Sequence, residues 1–440
     1  MKKLLMMIGA AAAVAVGANA ATVTIDGVTW TYQAGSVLAD GTTAATLGGG
    51  SSACIATSTA VDAANIPWTF TDNGTDYTVT TIAAYAFKGC SELSGTLTIP
   101  DHVTGTIGNY AFSNCTKLTK IASFGGVTAI GDRSFEKCSG LQDSECPDMT
   151  KIESIDVYNM LPFSGNLYLS ALSSGRGIGD SAFFGASITN VVLSRLAPNI
   201  SGNRIFMSCA NLQSVYLPGP DTGSSMMQIR RSNTFAGCTS LKVFLAGPLT
   251  CLSDTYGRTD VNMFENVSGC RMFVPTGSNW DTESDTEKGL AAYEANNTIF
   301  YYGAGRELDM SFDNDRKLVT ATPATAHALT NVLAAATTIK NVFGMDTRIN
   351  VTNAIEIAAG SISAAELAGV TFDSLTFAVK TQAQLDTVLA AVPVETPLAI
   401  DPEGATENLT VLTENRKIYV MLPTNGTYKV RPGGFIIIVE

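Results

Sequence analysis

The feature that most constrains the fold is a recurring motif, Phe followed three residues later by Cys and three further on by Leu. It stands at AFKGCSEL, AFSNCTKL, SFEKCSGL, IFMSCANL and TFAGCTSL; two more copies keep the Phe but carry Ala186 or Val267 in place of Cys. The motif phenylalanines are Phe87, Phe112, Phe135, Phe183, Phe206, Phe235 and Phe264. Their steps of 25, 23, 48, 23, 29 and 29 residues predict one structural unit per step, with a degenerate unit between residues 142 and 176.

Each unit combines one strand-forming run with one turn. Ile-Gly precedes several phenylalanines, and the motif Leu is followed by a β-prone run that often ends in Pro, as in LTIP at residues 97–100. One such unit cannot bury its Phe, Leu and Ile alone, but stacked units share a continuous apolar column. Alternation along the strand sends Leu97 and Ile99 inward and Thr96 and Thr98 outward. The spacing therefore predicts a solenoid with a parallel sheet on one side.

The pattern I-G-x-x-A-F-x-x-C-x-x-L, followed by a strand that ends in I-P, resembles the BspA-like leucine-rich repeat family of bacterial secreted and surface proteins. The text at residues 22–30 and 77–87 resembles the lead-in of that family. The resemblance covers residues 21–302 and departs from the family pattern at 142–176. It implies a binding or adhesion role and offers no catalytic residues to carry over.

The predicted fold class is an α/β solenoid, a leucine-rich-repeat parallel sheet with short helical turns, followed by a small α+β domain. We assign residues 21–79 to a β-rich N-terminal cap, 80–302 to the solenoid and 303–440 to the C-terminal domain. Residues 318–336 and 375–392 are alike at an offset of 56. Both predict a strand, a polar turn and an amphipathic helix, which indicates a duplicated β-α unit.

The N-terminus and the net charge predict where the chain acts and exclude some partners. Residues 1–20 begin with two lysines, continue through a short apolar run and end in Ala-Asn-Ala, the pattern of a secretory signal peptide. The apolar run is shorter than the roughly 20 residues that span a membrane. The chain carries 39 acidic and 27 basic residues, a formal charge of −12. We expect an exported protein that does not span a membrane and does not bind nucleic acid.

The nine cysteines divide into two groups. Five share one repeat position, at which other repeats carry Ala or Val, and are predicted to be buried thiols that act as small apolar groups. A disulfide ladder or metal ligands are the alternatives; there is no C-x-x-C pair and the chain has only two histidines. The predicted repeat core, beside the seven phenylalanines, is Cys90, Cys115, Cys138, Cys209 and Cys238. The pairing of the other four is left open, with Cys251–Cys270 as the best candidate disulfide beside Cys54 and Cys146.

A candidate binding surface follows from the strand cores VVL, VYL, VFL and MFV. Aligned with one another, they place Val192, Tyr216, Phe244 and Phe273 outward, as an apolar row on the concave sheet. Two interpretations stay open. An exposed row of this kind marks an interaction surface for a protein or glycan ligand. Alternatively, the C-terminal domain covers it.

Residues suited to catalysis are scarce. The sequence has no phosphate-binding loop, no G-x-S-x-G and no nucleotide fingerprint. The acidic run from Asp281 to Glu287 lacks the Gly and the spacing of an EF-hand loop and favours a solvated loop. We therefore expect no enzyme activity, no cofactor and no metal. The sequence predicts an exported binding or adhesion protein; a structural scaffold or self-assembling envelope protein is the alternative, and the oligomeric state stays open.

Overall fold

The computed structural model describes most of the chain from Ala20 onward. The described residues are 20–141, 144–156, 161–172, 177–195, 199–200, 202–220, 227–230, 233–253, 262–277, 280, 283–284, 287–288, 290–352, 355–356, 362–368, 370–371, 374–403, 405–406, 408–411, 418–422, 426–430 and 435–437. The predicted signal peptide lies outside them except for Ala20.

The solenoid is built from coils that each add a strand to a front sheet and, in most coils, a short strand to a back sheet. The front strands are Val61–Asp62, Leu93–Thr98, Leu118–Ser123, Ser144–Glu145, Phe163–Tyr168, Ser187–Val192, Ser214–Leu217, Val243–Ala246, Arg271–Pro275 and Thr298–Tyr302. The back strands are Thr75–Ile82, Thr106–Ile107, Ala129–Ile130, Ser154–Ile155, Asn199–Ile200, Met227–Arg230 and Thr250–Ser253. Parallel pairing joins the front strands in two groups, residues 61–123 and 144–302, and the back strands in two groups, residues 75–155 and 199–253. The predicted parallel solenoid is confirmed.

The connections between sheets are turns rather than helices. In the described part of the solenoid the helical elements are short 3₁₀ turns at Ala63–Asn65, Ser139–Leu141 and Leu290–Tyr293. The repeat motifs themselves are hydrogen-bonded turns, in which the Cys N–H donates to the Phe carbonyl three residues earlier. The predicted helical turns are therefore tight turns in most coils.

An antiparallel hairpin closes the N-terminal end. Strands Ala21–Ile25, Val28–Val37 and Thr43–Leu47 pair in sequence, the last joins Thr75–Ile82 in parallel, and Thr69–Asp72 pairs with the same strand. The buried Trp30 ring meets Phe87 edge-on at 6.3 Å between centroids. This contact covers the first ring of the apolar column, which solvent would otherwise reach.

The motif phenylalanines form that column, and all seven are at most 1% exposed. In the first run, Phe87 stacks on Phe112 at 4.9 Å and Phe112 on Phe135 at 5.2 Å. The second run joins Phe183, Phe206, Phe235 and Phe264 at 5.4 to 5.6 Å. The planes differ by only 5° to 12°, because the rings occupy equivalent positions one coil apart. The spacing of about 4.8 Å between paired strands therefore sets the ring separation.

The column is interrupted once, in the stretch where the sequence pattern degenerates. The Leu161 N–H donates to the Ala182 carbonyl, the same link that other motif phenylalanines make to the next coil. Leu161 thus takes the place of Phe in this coil. The buried Phe124 ring, edge-on to Phe135 at 6.0 Å and to Phe163 at 6.4 Å, fills the space that the smaller side chain leaves.

The motif cysteines form a second column beside the rings, and all five are at most 3% exposed. The thiol of Cys115 donates to the Phe87 carbonyl at 3.2 Å, and Cys138 makes the same contact to Phe112 at 3.0 Å. Cys209 and Cys238 repeat it to Phe183 and Phe206. Cys therefore combines a small apolar volume with a weak donor for the carbonyl one coil back, which Ala186 and Val267 lack.

Left-handed backbone occurs two residues after each motif Phe and, in six of the seven motif coils, also two residues before it. After the Phe they are Gly89, Asn114, Lys137, Gly185, Ser208, Gly237 and Asn266, all with φ between 61° and 76°. Glycine adopts this conformation without steric cost, whereas side chains with a Cβ pay roughly 1–2 kcal/mol. The tight turn therefore stores strain wherever the chain places another residue there.

The C-terminal domain is a mixed sheet with two helices. Its strands run in the order Leu308–Asp313, Leu318–Pro323, Asp346–Asn350, Leu375–Ala378, Leu398–Asp401, Ile418–Leu422 and Gly426–Val430, parallel in the middle and antiparallel at both edges. A separate pair joins Leu409–Val411 to Phe435–Ile437. Helices α1 (Ala326–Asn341) and α2 (Gln382–Ala391) each follow a strand, and begin at Thr325 and Thr381 with the same cap geometry. The two segments that are alike in sequence thus form equivalent β-α units.

The strained turn position predicts a stabilising substitution. Lys137→Gly should raise the free energy of unfolding by about 0.5–1 kcal/mol, because φ is 61° there and glycine removes the steric cost. Lys137→Ala is the matched control, since alanine keeps a Cβ and should bring no gain. Urea denaturation of the three proteins measures the difference, and an equal gain in both variants would contradict the explanation.

The buried thiols predict a loss of stability at alkaline pH. Burial raises the pKa of Cys209 from 9.0 to about 12 and that of Cys90 to about 11. Above pH 9 the unfolded chain releases these protons while the folded chain keeps them, so the free energy of unfolding falls up to about pH 12. Each such thiol contributes up to about 1.4 kcal/mol per pH unit.

Cys209→Ala tests this, because Ala186 already occupies the same repeat position. Urea denaturation at pH 8 and pH 10.5 should show that the variant loses about 2 kcal/mol less than the parent chain. An identical decline in both would refute the role of the thiol.

Candidate functional site

The front sheet carries one row of outward side chains across six strands. Strand pairing joins Tyr168 to Val192, Val192 to Tyr216, Tyr216 to Leu245, Leu245 to Phe273 and Phe273 to Phe300. We call these six residues the front row: Tyr168, Val192, Tyr216, Leu245, Phe273 and Phe300. Three of the four residues predicted for this face, Val192, Tyr216 and Phe273, belong to it.

The prediction that Phe244 points outward is wrong. Phe244 pairs with Val215 and Met272, one residue away from the front row, and its ring is edge-on to Phe235 and Phe264 in the solenoid core. A shift of one residue along a strand moves a side chain to the other face of the sheet. Tyr216 and Leu245 each lie four residues after the motif leucine of their coil, Leu212 and Leu241, so counting from these leucines places them opposite each other. Aligning the letters VYL with VFL instead pairs Tyr216 with Phe244, which is wrong by one residue.

The C-terminal domain covers most of the front row. Tyr216, Leu245, Phe273 and Phe300 are at most 3% exposed and share one apolar core with that domain. The Tyr216 ring lies 5.2 Å from Phe343, and the Phe300 ring lies 5.0 Å from the His327 ring. Of the two open interpretations, the structure therefore has the second, in which the apolar row is buried within the chain.

Polar contacts fix the same interface. The Tyr216 hydroxyl donates to Asn314 Oδ1 at 2.8 Å. Arg271 donates through Nε to Asn331 Oδ1 at 2.9 Å and lies 3.6 Å from the Glu366 carboxylate. At the border of the covered area, Arg195 contacts Asp315 at 2.9 Å. These groups supply partners for polar atoms that docking removes from water, and they fix the orientation of the domain on the sheet.

Toward the N-terminus the front sheet is uncovered, and its outward side chains change from apolar to mostly polar. Tyr168 is 39% exposed, and Val192 is half-buried at the edge of the covered area. An asparagine lies two residues before each of them: Asn166, before Tyr168, is exposed, and Asn190, before Val192, is half-buried. We define the front patch as Asn166, Tyr168, Thr189, Asn190 and Val192.

Hydrogen bonds order the amides of the front patch into a ladder. The buried Ser214 hydroxyl donates to Asn190 Oδ1 at 2.5 Å, and Asn190 Nδ2 donates to Asn166 Oδ1 at 2.7 Å. Thr189 donates to the same Asn166 oxygen at 3.3 Å. The ladder fixes the orientation of both amides before any ligand arrives.

Of the front patch, the sequence predicted only Val192. Asn166-Leu167-Tyr168 and Asn190-Val191-Val192 lie 24 residues apart, one repeat step, and this repeated Asn was the available signal. The first of the two lies in the degenerate stretch, where the missing Phe and Cys motif hides the register.

Among the described residues, the titratable side chains form no metal-binding cluster and the cysteines form no disulfide. None of the described His, Cys, Asp and Glu side chains forms a group of three that could hold a metal ion. The structure has Cys251 and Cys270 as free thiols, so the candidate disulfide is wrong, and the other seven cysteines are free as well. Burial raises the thiol pKa of all nine, which keeps them protonated and unreactive at neutral pH.

Other sequence expectations have simpler outcomes. The His327 side chain is 58% exposed on α1 and lies 3.4 Å from Glu307, an exposed surface contact. The side chains of the acidic run from Asp281 to Glu287 lie outside the described residues. Within the described part of the chain, no helix is both long and apolar enough to cross a membrane.

The buried front row predicts which substitutions weaken the fold. Phe273→Ala should lower the free energy of unfolding by about 3–5 kcal/mol, because it opens a cavity between the front sheet and the C-terminal domain. Tyr168→Ala, in the same row but exposed, should change it by less than about 1 kcal/mol. Urea denaturation compares them, and equal losses would contradict the boundary between covered and uncovered parts of the row.

Comparison with known proteins agrees with the repeat architecture. The BspA type Leucine rich repeat region pattern matches residues 70–170 and 166–255, in six copies. Comparison with curated proteins finds no match.

Solved structures that match include a leucine-rich repeat protein from Bacteroides ovatus, at 18% identity over 89% of this chain and 98% of that one, with a TM-score of 0.35. A leucine rich cell surface protein from Faecalibacterium prausnitzii matches at 16% identity over 65% of this chain and 96% of that one, with a TM-score of 0.31. The stacked Phe and Cys columns, the parallel front sheet and the family match lead to one conclusion. Residues 70–255 of this chain form a BspA-type leucine-rich repeat region.

Proposed function

We propose that the chain is an exported, non-enzymatic binding or adhesion protein that holds a macromolecular ligand on the uncovered part of the front sheet. The observation that carries the proposal is the front patch, an exposed aromatic side chain beside a hydrogen-bonded amide ladder on a parallel sheet. Leucine-rich repeat proteins are generally non-enzymatic, and their extended sheets serve as binding surfaces.

Rigidity supports this role. Pairing on both sides holds the strand that bears Asn190, and the stacked phenylalanine column lies beneath the sheet. A surface that is ordered before binding loses little conformational entropy when a ligand arrives. An exposed amide and an exposed tyrosine on such a support are suited to recognition.

Export forms part of the same proposal. The pattern at residues 1–20 favours a cleaved signal peptide, and the Faecalibacterium match is described as a cell surface protein. The buried free thiols need no reducing compartment to stay unpaired, because their burial protects them from oxidants and from each other.

A structural scaffold or self-assembling envelope protein is the second candidate. One observation supports it: the C-terminal domain of the same chain covers the apolar part of the front row, as the scaffold hypothesis requires. The same burial removes the row as a surface for contacts between chains, however. Self-assembly would then need another surface, whereas ligand binding has the front patch at its disposal.

The test places a charge on the patch. Tyr168→Glu should weaken binding of the mature chain to its ligands in a panel of immobilised purified proteins and polysaccharides by about tenfold or more, because an exposed anchor is replaced by a hydrated charge. Val37→Glu is the matched control, since Val37 is 71% exposed in the N-terminal hairpin, and should bind as the parent chain does.

Biosensor titrations measure the affinities, and sedimentation velocity at micromolar concentration reports the assembly state. Binding that is indifferent to Tyr168→Glu would refute the proposed surface. Large assemblies that persist in both variants, without ligand binding, would instead support the scaffold.

A further inference from the structure

The geometry points to a neutral carbohydrate as the ligand of the front patch. We propose that Asn166 binds a sugar hydroxyl through Nδ2 while Tyr168 packs against the apolar face of a sugar ring, and that Asn190 holds the Asn166 amide in position. This inference rests on the proposed function, which leaves the ligand class open between protein and glycan.

The amide ladder supplies directional hydrogen bonding at the surface. Asn190 uses its oxygen toward Ser214 and its nitrogen toward Asn166, so it is committed within the ladder. Asn166 accepts from Asn190 and Thr189 through Oδ1, and none of the hydrogen bonds of the described residues uses its Nδ2. An exposed amide held in one orientation, with donor capacity left over, suits hydroxyl oxygens that must be recognised in a fixed direction.

The aromatic side chain supplies the complementary contact. Tyr168 lies two residues beyond Asn166 on one strand, so both project from the same face of the sheet. A tyrosine combines an apolar ring with a polar hydroxyl, which matches the alternation of C–H faces and hydroxyl edges on a sugar. Two residues along a strand span roughly 6.6 Å, so the Asn166 amide and the Tyr168 ring can contact the same sugar unit.

Charge favours a neutral ligand. All five residues of the front patch are uncharged. At its C-terminal border, Arg195 is already engaged with Asp315. On the N-terminal side, the exposed Lys120 and Glu145 carry opposite signs. Among the described residues around the patch, a sulfated or carboxylated ligand would therefore meet no cationic cluster, and it would face a chain with a formal charge of −12.

The composition of the patch argues against a protein partner. Stable protein interfaces centre on a desolvated cluster of aromatic and Arg anchors. Here a single aromatic residue is exposed, and the apolar remainder of the front row lies under the C-terminal domain. Amides and one flat ring suffice for a glycan.

The experiment uses the mature chain on an array of neutral, sialylated and sulfated oligosaccharides, and electrophoresis through gels that contain dextran or galactomannan. We expect retention by neutral glycans only. Calorimetric titration with the best array glycan should show about tenfold weaker binding for Tyr168→Ala and for Asn166→Ala. Tyr168→Phe keeps the ring and should bind within about threefold of the parent chain.

Two controls separate a binding defect from a folding defect. Lys120→Ala alters an exposed position on a front strand outside the patch, and Val394→Ala alters an exposed position in the C-terminal domain; both should bind normally. Thermal unfolding should be unchanged in all variants, since every substituted side chain is at least partly exposed.

The outcomes distinguish this inference from the proposed function. Retention of acidic glycans alone, absence of any retained neutral glycan, or glycan binding that survives Tyr168→Ala overturns the carbohydrate assignment. If a protein from the biosensor panel binds and is lost in Tyr168→Glu, the surface stands and only the ligand class is wrong. If no interaction of either kind depends on Tyr168, both fail.

Discussion

The stacking of one phenylalanine ring per coil on the ring of the next is the contact on which the solenoid depends. Parallel strand pairing brings equivalent residues about one strand spacing apart, so identical rings meet face to face at 4.9 to 5.6 Å. In four coils the motif thiol then donates to the carbonyl one coil back. Trp30 and Tyr293 meet the first and last rings edge-on and close the two ends.

The repeat core was predictable because each motif residue meets its own equivalent in the neighbouring coil. A periodic sequence therefore specifies its own contacts, as the burial of Phe87 and Cys90 illustrates. The left-handed position after each Phe was predictable for the same reason, since Gly89, Asn114 and Gly237 are the residue types that tolerate it. Where the motif fades, as at Leu161, the register was not predictable, because Phe124 compensates from a different part of the coil.

The outward surface was harder to predict because a sheet reverses its faces with each residue. Phe244 and Leu245 are both apolar, so composition alone does not say which one points outward, and only the count from the motif leucine decides it. The cover over Tyr216 depends on residues about 100 positions later, such as Asn314. No local pattern encodes a contact of that range. The sequence could therefore offer coverage only as one of two alternatives.

The same burial explains why the proposed ligand surface is polar in a chain that is 45% hydrophobic. The front row is apolar from Val192 to Phe300, and left in water it would be a surface prone to aggregation. The C-terminal domain covers most of this apolar row, and the covered area ends near Arg195 and Asn314. Only the Tyr168 end of the row remains in solvent, where asparagines flank it. The edge of the C-terminal domain thus determines which side chains of the front sheet stay exposed. These are amides, a hydroxyl and a single aromatic ring.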